Sequence, residues 1–416
     1  MAPRRWAPFL GLIFVVGVVV SEPLLMIMPT MMGVILWIAS WWQLRSLDNV
    51  LYRRRLHFRR GFPGEELGLQ VEVENRKFLP VSWLRIQDPW PEAIGPAEEG
   101  VLGPYHIPQV GLLTNVFSLR WFEHRLRRYT LLLRQRGVYL VGPARVESGD
   151  LFGFYEHAAE VGIRDKLTVF PEVIPFSVLP LATDDPFGDI RSRRRIYEDP
   201  TMAIGVREYQ PEDDFRRVHW PASARTGQLQ AKVYQPVSAR VVVVALNVST
   251  FSHHWEGTNR ALLEYAISLT AGVVTRGIED GYRVGMISNG CLTNSDQPFR
   301  ILPGETTRHL ALLLEALAGV TPLITSPFAP FLMRQVPHLP YRASLMLVTA
   351  VIPHELPETL IQLRRHGRRI TVISLESDPP PAIPGIRMVH APFQPSELER
   401  NEDVAVDSIR ASERNG

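Results

Sequence analysis

Cysteine is almost absent: Cys291 is alone in 416 residues. One thiol cannot close an intramolecular disulfide, form a CxxC redox pair or build a thiolate zinc or iron–sulfur cluster. A dominant charge is lacking as well. Basic residues number 45 against 43 acidic ones, a formal +2, so no global field draws in nucleic acid. Nucleotide-binding text is missing too: neither G-x-x-x-x-G-K-[ST] nor G-x-G-x-x-G opens the first helix of the C-terminal region. With 35 prolines and 29 glycines, a long helical rod is disfavoured. What remains is a chain of ordinary hydrophobic content, long enough for two or three domains.

Charge is also missing locally. From Trp6 to Leu44 the only charged residue is Glu22. Two apolar segments, 6–21 and 23–44, therefore flank a Ser21-Glu22-Pro23 break. At about 1.5 Å per residue the second spans a hydrocarbon core of roughly 30 Å, and the first falls slightly short. Pro29 is expected to kink the second helix or end it. Trp37, Trp41 and Trp42 read as an interfacial belt at its exit. Arg4 and Arg5 precede the pair; Arg45, Arg53, Arg54 and Arg55 follow it. By the positive-inside bias both ends are cytoplasmic. The expectation is a transmembrane hairpin over 1–45 in the cytoplasmic (inner) membrane, with all soluble parts in the cytosol.

Over 55–172 the text turns to short strands. Leu67, Leu69, Val71 and Val73 alternate with Gly68, Gln70, Glu72 and Glu74, the period of a half-buried strand. Val81–Gln87, Leu112–Trp121, His124–Gln135 and Leu167–Pro171 follow as further strands. Gly137-Val138-Tyr139 and Asp150-Leu151-Phe152-Gly153 read as turn or corner devices. The spacing predicts a small antiparallel β-sandwich or barrel. Arg125, Arg127, Arg128, Arg134 and Arg136 make one face basic, a solvated or headgroup-facing surface and not a nucleic-acid site.

Residues 173–239 form a linker, with Arg191, Arg193, Arg194 and Arg195 in a loop-like stretch. Within it, 206–232 holds the most specific text. Asp213 or Asp214 can cap a short helix carrying Arg216 and Arg217. Trp220 anchors that helix apolarly, Gly227 turns the chain, and Leu229–Tyr234 leaves as a strand. Such packed charges are expected to form a satisfied Arg–Asp network.

From 240 to 394 the pattern becomes strand–helix alternation. Val241–Leu246 is a continuous apolar run, as in a strand buried on both faces. Thr258–Arg276 is helical, with Leu262, Ala266, Leu269 and Val273 on one face and Gly277 as its stop. Tyr282–Ser288 is a strand, and Asn289-Gly290 is a hairpin signal leading to Phe299–Leu302. Leu310, Leu313, Leu314 and Leu317 line a helix ending at Gly319. Ser344–Thr349, a helix near His354–His366, and Arg368–Leu375 complete a doubly wound α/β sheet. Beyond about Pro395 the polar chain reads as a disordered tail, 395–416.

The 206–232 run resembles the signature of the family known as domain of unknown function 58, usually R-E-Y-x-x-G-D-D-x-R-x-I-x-W-x-x-x-A-R. The matching residues are Arg207, Glu208, Tyr209, Asp213, Asp214, Arg216 or Arg217, Trp220, Ala224, Arg225 and Lys232. Glu212 stands where the family usually has glycine, and Pro221 where it often has lysine. The resemblance implies a membrane hairpin, a β-domain and a C-terminal domain like von Willebrand factor A. It also implies association with a MoxR-type AAA+ ATPase, and assigns no reaction.

Domains like von Willebrand factor A often hold a divalent cation through D-x-S-x-S after the first strand, a loop threonine, and an aspartate after the fourth strand. Here the matching text is Asn247-Val248-Ser249-Thr250-Phe251, with Thr306 or Thr307 for the threonine and Thr349-Ala350 at the aspartate's place. Both carboxylates are gone and Phe251 replaces a hydroxyl, a poor set for a hard dication. No metal and no cofactor is expected, and Cys291 has no activating neighbour. The leading expectation is a non-enzymatic, membrane-anchored protein whose rim binds a protein partner, an AAA+ ATPase. Two alternatives stand beside it: a metal-dependent binding domain with an altered site, and a cryptic hydrolase using Ser249 with His253 or His254.

Overall fold

The computed structural model describes residues 7–150, 156–162, 164–175, 198–210, 215, 218–236, 241–252, 256–293, 295, 297–340 and 343–393. Asp213, Asp214, Arg216 and Arg217, the Arg191–Arg195 cluster, His253–Trp255, the Leu151-Phe152-Gly153 corner and the tail lie outside the described residues. The chain clusters into two compact units, Met1–Glu172 and Val173–Gly416.

The first unit opens with an apolar helix pair, α1 (Ala7–Val20) and α2 (Pro23–Arg45). The α2 helix is long and apolar enough to cross a membrane, whereas α1 is shorter. Arg260–Glu279 passes the same test, but more than half of its apolar window is buried inside the protein, which marks it as a core helix. Pro29 lies inside α2 and does not end it. The turn between the helices takes Ser21 into the left-handed region (φ 55°). Gly17 lets the two backbones meet, since a Cβ there would lie 2.8 Å from the Leu25 carbonyl carbon.

Eleven strands follow: β1 (Val50–Leu56), β2 (Arg60–Gly61), β3 (Glu66–Asn75), β4 (Val81–Pro91), β5 (Leu102–Gly103), β6 (Val110–Leu119), β7 (His124–Leu132), β8 (Gly137–Val141), β9 (Ala144–Gly149), β10 (Glu156–Val161) and β11 (Asp165–Val169). They form three sheets, ordered β1-β3-β7, β10-β9-β4-β6-β5 and β2-β11-β8. The alternation in β3 points Leu67, Leu69, Val71 and Val73 into one apolar core with Leu84, Ile86, Trp90, Leu113 and Leu131. Two expectations are corrected. Gly137-Val138-Tyr139 is no corner but the start of β8, paired with β11. The arginines of β7 and beyond do not form one basic face, because successive strand residues alternate sides. Arg127 bonds Asn115 at 2.9 Å and lies over Phe117, Arg125 pairs with Glu123, and Arg134 holds the carbonyls of Glu92, Gly95 and Pro96.

Arg54 ties the three sheets together. Its buried guanidinium reaches Asp88 of β4 at 2.9 Å and Asp165 of β11 at 3.1 Å, while Tyr52 donates to Asp88 at 2.9 Å. Burial pushes the Asp88 carboxyl above its usual range, against the opposing pull of Arg54 and the hydrogen bonds.

The second unit begins with β12 (Glu198–Glu208), α3 (Trp220–Thr226) and β13 (Gln230–Pro236). The main sheet contains β14 (Val241–Leu246), β15 (Arg283–Leu292), β16 (Pro298–Gly304), β17 (Val320–Ile324), β18 (Ser344–Thr349), β19 (Ile370–Ser374) and β20 (Arg387–His390). Its order is β16-β15-β14-β18-β19-β20, with β17 paired to the far end of β15. The five strands from β15 to β20 run parallel, whereas β16 and β17 are antiparallel. Four helices connect them: α4 (Arg260–Glu279), α5 (Thr307–Ala318), α6 (Phe328–Gln335) and α7 (Glu355–Arg365). The architecture is a mixed α/β sheet. Gly277 is buried within α4, which continues to Glu279. Asn289-Gly290 is not a turn either, because β15 runs through both to Leu292.

Replacing Arg54 with methionine leaves buried Asp88 without a cation and Asp165 with only the exposed Arg59 at 3.4 Å, and is expected to cost about 3–5 kcal/mol near neutral pH. A carboxyl whose folded-state pKa is raised favours folding below its ordinary pKa and loses that contribution as pH rises. The Arg54→Met penalty should therefore shrink towards pH 4. Denaturant unfolding of the detergent-solubilised chain at pH 4 and pH 7 measures both effects; equal losses at the two values refute the account.

Candidate functional site: the carboxyl edge of the C-terminal sheet

The chain leaves β14 to build β15 on one side and later β18 on the other, so the strand order reverses beside β14. In open α/β sheets a crevice forms beyond the carboxyl ends of strands at such a reversal. A cavity of about 670 Å³ lies there. Ser249, Phe251 and Ser252 line it from the loop after β14, and Ile352–Glu355 from the loop after β18. The β17–α6 segment Ile324–Phe328 supplies the remaining wall.

The floor beside it is a network of neutral amides and a hydroxyl. Asn247 Oδ1 accepts from Ser249 N at 3.1 Å and from Asn289 Nδ2 at 3.1 Å. Asn247 Nδ2 donates to Thr349 Oγ1 at 3.0 Å, which donates onward to Val351 O at 2.6 Å. Asn289 Oδ1 accepts from Val248 N at 3.0 Å. All three side chains are buried. Both lone pairs of Asn247 Oδ1 are thus engaged by N–H groups. A cation at this oxygen would have to displace two donors and leave them unsatisfied, a loss that neutral ligands do not offset.

The structure brings Asn247, Ser249, Phe251, Thr349 and Ala350 to this edge, and takes Thr306 and Thr307 away from it. Gly304, at the end of β16, pairs with Val284 near the amino end of β15. The β14–β15 register puts Asn247 beyond the carboxyl end of the same sheet. At about 3.3 Å per residue the two positions are some 16 Å apart along the strands. Thr306 instead caps α5, accepting from His309 N at 3.1 Å. In place of those threonines, Thr325 and Ser326 join Ser249 and Ser252 in bringing hydroxyls to the crevice.

Two positioning residues escape a linear reading. Asn289 has the text of a turn but lies inside a strand; the signal was the buried polar pair Ser288-Asn289 interrupting an apolar run. Glu376, just past β19, accepts from Ile352 N at 2.7 Å and fixes the β18–α7 loop. Gly290 beside it is required by space, since a Cβ would stand 2.6 Å from Val248 Cγ1 and 3.0 Å from Thr321 O.

The signature run assembles separately. Val206, Arg207 and Glu208 of β12 pair with Lys232, Ala231 and Gln230 of β13. His219 caps α3 by accepting from Ala222 N at 3.0 Å. Gly227 ends the helix at φ 70°, as expected of a left-handed cap. Ser223 Oγ accepts from Gln230 N at 2.8 Å and clasps α3 to β13. Arg225 falls in the last turn of α3. Trp220 is not the buried anchor: it is 59% exposed, whereas Val218 and Ala231 bridge in its stead and are buried. Three rings form a chain, half-buried Tyr209 against exposed Phe215 at 6.2 Å and Phe215 against Trp220 at 5.7 Å between centroids.

Residues 205–407, just under half of the chain, match the model of a family described as Protein of unknown function DUF58. A curated relative, Uncharacterized protein YeaD of Bacillus subtilis (strain 168), is 26% identical over 256 residues. That match covers 60% of this chain and 58% of the relative's length. Among solved structures, a CARDB domain from Pyrococcus furiosus is 12% identical over 29% of this chain and 91% of its own, with a TM-score of 0.19. The sporulation control protein Spo0M from Bacillus subtilis is 16% identical over 29% of this chain and 49% of its own, with a TM-score of 0.18. Likenesses at that level carry no argument about this chain.

Asn247→Ala removes the shared acceptor and should destabilise the second unit by about 1–3 kcal/mol for each donor left alone. Asn247→Asp keeps the acceptor but buries an unpaired carboxylate against Thr349 Oγ1, so it should destabilise at neutral pH and recover as the carboxyl is protonated in acid. Unfolding curves of the two variants decide the matter; an Asn247→Ala chain as stable as the parent would contradict the network.

Proposed function

We propose that this chain is a non-enzymatic, membrane-anchored adaptor with its soluble units in the cytoplasm, and that the carboxyl-edge crevice receives a protein partner. The observation that carries this reading is the crevice itself. It sits where α/β sheets bind ligands, yet its floor offers neutral donors and acceptors already bonded to one another. Its walls combine hydroxyls (Ser249, Ser252, Thr325, Ser326) with Phe251 and Pro327. Such a lining suits a partner's side chains, held by hydrogen bonds and apolar contact, better than an ion or a nucleotide. The parallel order of the five strands and the Asn247–Phe251 loop favour kinship with domains like von Willebrand factor A. The resemblance of the signature points to a MoxR-type AAA+ ATPase as the partner. The exposed rings of Phe215 and Trp220 add an aromatic surface of the type enriched at interfaces. Anchoring rests on the apolar length of α2 and on the arginines after it.

Binding is measured by titrating the detergent-solubilised chain with a purified MoxR-type ATPase. Saturable association is expected, with Phe251→Ala or the cavity-filling Ser249→Trp weakening it by about tenfold or more. The reading fails if the ATPase does not bind, or if it binds both variants as tightly as the parent.

A further inference from the structure

Among the described residues of the β-rich region, the three most exposed large apolar side chains are Phe78 at 81%, Trp121 at 64% and Phe122 at 57%. They come from two different connections. Phe78 lies between β3 and β4, and Trp121 and Phe122 lie between β6 and β7. The connections are bound into one tip: Phe122 N donates to Lys77 O at 3.3 Å, Asn75 N donates to Glu123 O at 2.9 Å, and Asn75 Nδ2 donates to Leu79 O and Arg120 O. The Phe78 and Phe122 rings meet edge to face, 4.9 Å apart.

The same tip is fastened to the end of α2. Lys77 Nζ donates to Ser46 O at 2.7 Å and to Asp48 O at 2.6 Å. Arg76 N donates to Asn49 O at 2.9 Å. Strand register agrees, because Val50 at the start of β1 pairs with Asn75, and Glu74 pairs with His124 at the start of β7. The aromatic tip therefore extends from the end of the sheet that adjoins the exit of the apolar helix. Phe78 follows Arg76 by two residues, at most ~7 Å of chain, comparable to the depth of one interfacial layer of a bilayer.

We propose that Phe78, Trp121 and Phe122 form an interfacial foot that inserts into the headgroup layer of the membrane spanned by α2. The proposal rests on the anchored reading above. Aromatic rings favour this layer, where apolar body and polar surroundings are both accommodated. Acidic lipid adds little, because Glu74 and Glu123 pair with Arg76 and Arg125. Ring burial and not charge supplies the attachment.

Single nitroxide labels on the full-length chain test this in lipid nanodiscs of phosphatidylcholine with and without phosphatidylglycerol. The native thiol, Cys291, is buried, and Cys291→Ser removes it from the labelling. Labels at Phe78→Cys and Trp121→Cys are expected to report oxygen access exceeding that of a water-soluble nickel complex. A label at Leu140→Cys, on exposed β8 surface, should report the reverse, and one at Val34→Cys in α2 should report hydrocarbon. The lipid mixture should change these values little. Aqueous labels at 78 and 121 beside a hydrocarbon label at 34 overturn the foot and leave the anchor intact. Labels at 78 and 121 shielded from both reagents mean a protein occupant, and that also overturns it. An aqueous label at 34 overturns anchor and foot together.

Discussion

The carboxyl ends of three parallel strands are held level by one amide. Asn247 leaves β14, Asn289 belongs to β15 and Thr349 ends β18, and the side chain of Asn247 bonds to both of the others. Strand order reverses at this place, so the connections leave in opposite directions and a gap opens between them. A neutral amide suits the position because it is donor and acceptor at once. A carboxylate can only accept, and would need a cation or a rearranged Thr349 to complete the set. The crevice thus inherits a closed floor, and its chemistry is left to the walls: their hydroxyls, their rings, and His354 and Glu355.

Much of this arrangement was legible from residue order alone. The alternation of β3, the unbroken apolar runs of β14 and β18, and the Gly319 end of α5 follow from periodicity and capping, which are local. What escaped was set by distant partners. Asn289-Gly290 has strong turn propensity, but Asn247 supplies the bonds that keep it extended, and Gly290 is small because Val248 and Thr321 crowd it. Thr306 could be placed only by knowing the direction of β16, which no spacing reveals. Trp220 looked like an anchor from its bulk, yet the smaller Val218 and Ala231 occupy the buried bridge. The ends of β14 and β18 were legible because strand ends are visible in hydropathy.

The β-rich region depends on a comparable device of opposite character. Arg54 is a full charge in the interior, and its two carboxylate partners come from β4 and β11, strands of different sheets. Desolvation makes such a cluster a weak source of net stability, but removal of any member is costly. It excludes alternative packings of three sheets whose apolar faces, rich in valine and leucine, would otherwise slide with little penalty. The two units therefore keep register by different means, one by neutral hydrogen bonds and the other by buried ion pairs.

Lys77 gives the first unit a mechanical property. Burial lowers its amine to about 8, and it grips carbonyls on both sides of the bend between α2 and β1. It shares that hold with Arg76 N, which donates to Asn49 O at 2.9 Å. These bonds hold the end of α2 against the β3–β4 connection, so a tilt of the helix strains that tip of the sheets.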